Sequence, residues 1–136
     1  MRTQEIRTTW SGREESNEVQ GKVMVVDSDR ETQGALVYAL DSIGLEVAVC
    51  ENAVEALLKS IFEEFDYIIG AFELPGMKGI ELVSRLRERF PNAIIIGMSG
   101  VDKGKDFLCA GANDFLQKPF VPYRIAMMID GGDILA

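Results

Sequence analysis

Histidine is absent from the chain, and cysteine occurs only as Cys50 and Cys109. Without CxxC spacing or an imidazole, neither a zinc site nor a thiol–imidazole nucleophile is indicated, and both cysteines read as small core residues. Long apolar runs are lacking too: stretches such as Ala93 to Ile96 fall far short of the ~20 residues that cross a bilayer. The N-terminal M-R-T-Q-E-I-R-T-T-W carries charge where a secretory signal is apolar, so the expectation is a cytoplasmic protein with no membrane partner. Clustered positive charge is likewise missing. Acidic side chains outnumber basic ones 22 to 14, for a formal charge of -8. Only Arg85, Arg87 and Arg89 gather, and their spacing spreads them around a helix as a solvated face. A phosphate backbone needs a clustered basic surface, so nucleic acid is not expected as a partner.

What is present is enough apolar material for one core: 136 residues, 47% apolar and 26% charged, fit a single globular domain without disulfides or metal. Residues 1–20, with Arg2, Glu5, Arg7, Arg13, Glu14, Glu15 and Glu18, show little apolar periodicity and read as a flexible N-terminal tail. Trp10 is the exception within it, a candidate for docking on a partner. The domain itself is expected over 21–136.

From Lys22 the run K-V-M-V-V-D is apolar on both faces and predicts a buried strand ending at Asp27. The following S-D-R-E has the form of a capping box with Ser28 as cap and Glu31 reaching back, opening a helix that runs to Ile43 and stops at Gly44. Leu45 to Val49 predicts a second strand. Asn52 precedes a helix with Val54, Leu57, Leu58, Ile61, Phe62 and Phe65 along one stripe. Tyr67 to Ala71 is a third strand, followed by a Pro-Gly turn at Pro75 and Gly76 and a helix that Pro91 ends. Ala93 to Met98 is a fourth strand, then comes space for only a short helix ended by Gly111. A fifth strand near Asp114 to Gln117 and a last amphipathic segment around Val121, Ile125, Met128 and Ile129 complete five βα units.

Such alternation implies right-handed crossovers and a parallel sheet covered on both sides. Ligands gather at the carboxyl ends of the strands in these sheets. The residues there are Asp27, Ala71, Ser99 and Lys118.

The motifs V-V-D at 25–27, L-P-G-M-K-G at 74–79, I-I-G-M-S-G at 95–100 and G-A-N-D-F-L-Q-K-P-F at 111–120 occur in one order and spacing. By these the chain resembles the receiver domain of two-component response regulators, over residues 22 to about 130. The resemblance implies a flavodoxin-like α/β/α sandwich, a (βα)5 doubly wound five-stranded parallel sheet. In that family an aspartate ending the third strand accepts a phosphoryl group from a histidine kinase, with Mg²⁺ held by it and by an acidic pair after the first strand. The acceptor position, four before the proline, falls on Ala71. The acidic pair falls on Asp27 and Ser28. The family's hydroxyl corresponds to Ser99, its switch aromatic to Phe115, its phosphoryl-contacting lysine to Lys118, and its cis bond to Lys118–Pro119.

A methyl group at 71 has no nucleophilic oxygen, and with two expected carboxylates replaced, Mg²⁺ binding is expected to be lost or weak. Lys118 then pairs with Asp27. Glu73 either turns inward as a substitute carboxylate beside Lys118 or points to solvent. The stretch between Ser99 and Gly111 is nearly one turn, ~3.6 residues, shorter than the family's, so the fourth helix is expected to be truncated. Gly70 stands where the family places a bulky aliphatic residue and weakens its strand.

These features lead to a pseudo-receiver: not an enzyme, with no catalytic residues and no cofactor. It is expected to be a phosphorylation-independent interaction module whose partner is a histidine kinase, another regulator, an output protein or a second copy. Two alternatives stay open, an ordinary receiver with an engineered Asp to Ala change at 71, and a small-ligand sensor using the vacated pocket.

Overall fold

A computed structural model describes residues 20–131; the expected tail over 1–19 with its Trp10, and the residues after Gly131, lie outside the described residues. The chain runs β1 (Lys22–Val26), α1 (Arg30–Asp41), β2 (Glu46–Cys50), α2 (Ala53–Phe62), β3 (Tyr67–Ala71), α3 (Gly79–Arg89), β4 (Ile94–Ser99), α4 (Gly104–Ala110), β5 (Asp114–Gln117) and α5 (Tyr123–Gly131). The strands form one parallel sheet in the order β2-β1-β3-β4-β5. This is the expected doubly wound (βα)5 fold.

Strand side chains alternate between faces with a period of two, and both faces are covered, which is why β1, β3 and β4 are nearly continuous in Val, Ile and Met. Met24, Val26, Ile68 and Ile95 pack with Ala53, Ala56, Leu82, Leu86 and Phe107 on the side of α2, α3 and α4. Val23, Val25, Ile69 and Ile96 pack with Leu36, Leu40, Ile125 and Met128 on the side of α1 and α5.

The start of α1 differs from the capping-box expectation. Its cap is Asp29, whose Oδ2 accepts from the Thr32 amide at 3.1 Å and the Thr32 hydroxyl at 2.6 Å. Ser28 is exposed. The shift by one residue has a local cause: Asp27 Oδ1 accepts from the Asp29 amide at 2.9 Å, which turns the chain outward at 28 and brings Asp29 over the first helical turn. The helix ends at Asp41, and Gly44 at φ 96° reverses the chain.

Three other expectations change. The apolar stripe of α2 divides: Leu57 and Phe65 pack against the core beside the small residues Ala53, Ala56 and Ser60, which let the helix lie close to the sheet, while Val54, Leu58, Ile61 and Phe62 are exposed. Arg87 is not a solvated side chain. It donates to the carbonyls of Gly111, Phe90, Pro91 and Ala93 and to Asn113 Oδ1, tying the end of α3 to the turn after α4, and burial lowers its pKa. Cys109 is exposed, whereas Cys50 is buried and desolvation pushes its thiol up to about 11.

The fourth helix is short, at 7 residues, and ends at Gly111 with φ 116°. It is pulled tight against the sheet because Gly97 of β4 has no side chain: a Cβ there would lie 2.4 Å from the Phe107 ring.

Candidate functional site

The carboxyl ends of β1, β3, β4 and β5 bring Asp27, Ala71, Ser99 and Lys118 to one edge of the sheet. Asp27 follows β1 directly and is 3% exposed. Both of its carboxylate oxygens are engaged: Oδ1 by the Asp29 amide, Oδ2 by Lys118 Nζ at 2.7 Å. Lys118 follows β5 and is fixed there by its amide, which donates to the Ser99 carbonyl at 2.7 Å; the Lys118–Pro119 bond is cis.

Ala71 closes β3, opposite Met98 in register, and is 2% exposed. The loop beyond it folds back tightly: the Gly79 amide donates to the Phe72 carbonyl at 2.9 Å, and α3 begins so near that a Cβ on Gly79 would lie 1.9 Å from the Ala71 carbonyl oxygen. Only glycine fits there.

Ser99 is wholly buried; its Oγ accepts from the Val101 amide at 3.2 Å and donates to Glu73 Oε2 at 3.4 Å. Glu73 thus turns toward the strand tips, but its partner is Ser99 rather than Lys118. Two separate polar pairs result, Lys118 with Asp27 and Ser99 with Glu73.

Beside them Phe115 is turned inward. Its ring stacks on Phe107 at 5.6 Å between centroids and 27° between planes, and Phe107 meets Phe72 edge-on at 6.2 Å. Lys103 Nζ lies 4.8 Å from the centre of the Phe72 ring. Of this aromatic group, sequence reasoning singled out Phe115 alone. The available signal was Gly97, since glycine inside a strand marks a close approach by another group.

Ser28 is exposed and borders an open cleft of about 430 Å³ lined also by Phe72, Glu73, Leu74, Pro75 and Lys78. The donor set at the strand tips does not fit Mg²⁺, which takes near-octahedral oxygen ligands. One carboxylate is already held by a lysine and an amide, a second is bonded to Ser99, and positions 28 and 71 supply a hydroxyl and a methyl. Among the described residues no group of three or more Asp, Glu, His or Cys side chains is arranged to hold a metal ion.

Among the described residues no helix is long and apolar enough to cross a membrane. Comparison with known proteins places the same architecture in a signalling family. Residues 23–130 match the family model described as "Response regulator receiver domain". Among curated proteins, the transcriptional regulatory protein FixJ of Bradyrhizobium diazoefficiens is 32% identical over 113 residues, covering 81% of this chain and 55% of FixJ. The transcriptional regulatory protein PrrA of Mycobacterium tuberculosis is 34% identical over 103 residues, 74% of this chain and 44% of PrrA. The chain therefore spans about half the length of these two relatives. Among solved structures, the chemotaxis response regulator CheY4 of Vibrio cholerae superposes with a TM-score of 0.77 at 26% identity, covering 83% of this chain and 98% of that one. A response regulator from Burkholderia pseudomallei, solved with a phosphorylated aspartic acid, calcium ion and citrate, gives 0.74 at 25% identity, covering 79% and 65%. The fold and the matched family model agree, and the chain belongs to the response regulator receiver domains of two-component signalling.

Proposed function

We propose that this receiver domain is a pseudo-receiver, a protein-protein interaction module of a two-component or phosphorelay system that binds its partner without being phosphorylated, and is not an enzyme. One observation carries the reading: the side chain at the tip of β3 is the buried methyl of Ala71, and the nearby lysine is already neutralised by Asp27 at 2.7 Å. A methyl cannot form an acyl phosphate, and no retained side chain takes over that role.

The electrostatics support the same reading. Drawing Lys118 to an incoming phosphoryl group would leave the buried Asp27 carboxylate with the Asp29 amide but without its cation, which is unfavourable. The Burkholderia relative carries its phosphoryl group on an aspartic acid and holds a calcium ion; here Ala71 and Ser28 withdraw the acceptor and one metal ligand, so Mg²⁺ binding is lost or weak. The partner is another signalling protein (a histidine kinase, a regulator or an output protein) or a second copy of the chain.

The test is to capture a partner from the native cell with the purified chain and measure its Kd with and without acetyl phosphate and Mg²⁺. Equal affinities are expected. A tighter or weaker complex after acetyl phosphate treatment, accompanied by covalent phosphate on the chain, would overturn the proposal.

A further inference from the structure

β2 lies at the edge of the sheet and pairs only with β1. Its Glu46 amide donates to the Gly21 carbonyl, and its Cys50 carbonyl accepts from the Asp27 amide. Alternate residues of a parallel strand turn their main-chain groups to the same neighbour, so Glu46, Ala48 and Cys50 address β1 while Val47 and Val49 turn theirs outward. The chain closes both ends of this outer edge itself: the Leu45 amide donates to the Leu40 carbonyl, and the Glu51 amide to Glu55 Oε1 at 2.8 Å. Val47 and Val49 remain open, and among the described residues nothing meets their outward main-chain groups. Between them the strand carries no proline, lysine or bulge of the kind that guards an edge against pairing.

Two open residues separated by one form a self-complementary set. A second copy of β2, turned about a twofold axis through Ala48, places Val47 opposite Val49 of that copy and the reverse, each an antiparallel pair that exchanges both main-chain hydrogen bonds. Ala48 meets its counterpart on the axis at the close Cα spacing of a pair without hydrogen bonds, about 4.5 Å, and its methyl is small enough for that approach. Glu46 falls opposite Cys50 rather than opposite another glutamate.

The exposed side of α2 repeats this symmetry. Val54, Leu58 and Phe62, at four-residue spacing, are 66%, 53% and 80% exposed, and Leu58 and Phe62 line a groove of about 410 Å³ together with Val49 and Cys50. Leu58 is at the middle of α2 as Ala48 is at the middle of β2. The same axis therefore turns Leu58 toward Leu58 of the second copy and Phe62 toward its Val54. Apolar surface of this continuity marks an interface rather than ordinary scatter. Carboxylates at the rim do not oppose the approach, because Glu51 is paired with Arg30, Glu63 with Lys22 and Lys59, and Glu46 with Lys22.

We infer that two copies of this domain join edge to edge through β2, with Val47 and Val49 completing a sheet continuous across both copies and the α2 stripes packed together on one of its faces. This names the surface for the second copy admitted under the proposed function, and it does not depend on the silence of the strand-tip pocket.

Light scattering of the full chain over a range of concentrations reads the association, and amide hydrogen exchange locates it. The expected result is a mass rising to twice that of the chain, with the Val47 and Val49 amides exchanging several-fold more slowly at high concentration than at low. Val49→Lys, which sets a charge on the edge, and Leu58→Asp, both at exposed positions and checked for an unchanged circular dichroism spectrum, should each return the chain to a monomer. Tyr123→Asp, at an exposed position on α5, should leave it a dimer. A chain that stays monomeric at every concentration overturns the inference. So does a dimer whose Val47 and Val49 amides exchange freely, one that survives both Val49→Lys and Leu58→Asp, or one that yields to Tyr123→Asp instead. The two readings fail separately: a dimer that responds to acetyl phosphate and Mg²⁺ contradicts the proposed function and leaves this interface standing.

Discussion

Gly70 and Gly97 are register partners on adjacent strands, and their opposite surroundings show how single residues set this site. Over Gly97 sits the Phe107 ring, close enough that a Cβ would meet it at 2.4 Å; over buried Gly70 there is nothing within 4 Å. Gly97→Ala should therefore destabilise the fold by about 1–3 kcal/mol through overpacking. Gly70→Ala should stabilise it by about 0.5–1 kcal/mol, since the added methyl meets free space and the unfolded chain loses freedom. Urea unfolding of the two variants checks both signs. The sequence drew attention to Gly70, because the family carries a bulky residue there, but not to Gly97, whose importance depends on which aromatic lands above it. At the strand tips, positions 27, 71, 99 and 118 were legible as strand ends, and position 28 through the family resemblance. That Glu73 would meet Ser99 rather than Lys118 was not, since a loop carboxylate chooses its partner only after the tertiary fold has brought β4 alongside.

Helix boundaries and helix faces differ in how far local chemistry decides them. For α1 both Ser28 and Asp29 are good caps, and the choice fell to Asp29 because the Asp27 carboxylate holds the Asp29 amide and Thr32 offers two donors. Hydrogen bonds from Thr32 keep the Asp29 carboxyl below its ordinary value of 3.8. A depressed carboxylate contributes stability above its unfolded pKa and loses it as pH falls through the folded one. Asp29→Ala should thus lower the melting temperature at pH 7, with the gap to the parent chain closing as pH falls through about 4 and below. Ser28→Ala should leave the melting temperature unchanged at either pH; melting curves by circular dichroism distinguish the two. For α2, periodicity identified the helix and its Asn52 cap, which accepts from the Glu55 amide. It did not identify which arc faces the sheet. Ala53, Ala56 and Ser60 form a second, adjacent arc of small residues, and close approach to the sheet favours that arc, leaving Val54, Leu58, Ile61 and Phe62 outside.

At the scale of the whole molecule, the number and order of the elements were readable because each βα unit is punctuated by its own turn or cap residues and each central strand is apolar on both faces. The spatial sheet order, β2-β1-β3-β4-β5, is marked by no pattern within the strands and is seen in the structure. That order sets Asp27, Ala71, Ser99 and Lys118 together, and it leaves β2 at the edge of the sheet. The domain thus combines a strand-tip pocket whose charges are internally paired with an apolar face suited to binding. The central claim, that this pocket does not answer to phosphorylation, is tested most directly by amide NMR of the chain titrated with beryllofluoride and Mg²⁺. The account predicts an unchanged spectrum. Large shifts at Ser99, Phe115 and Lys118 would contradict it.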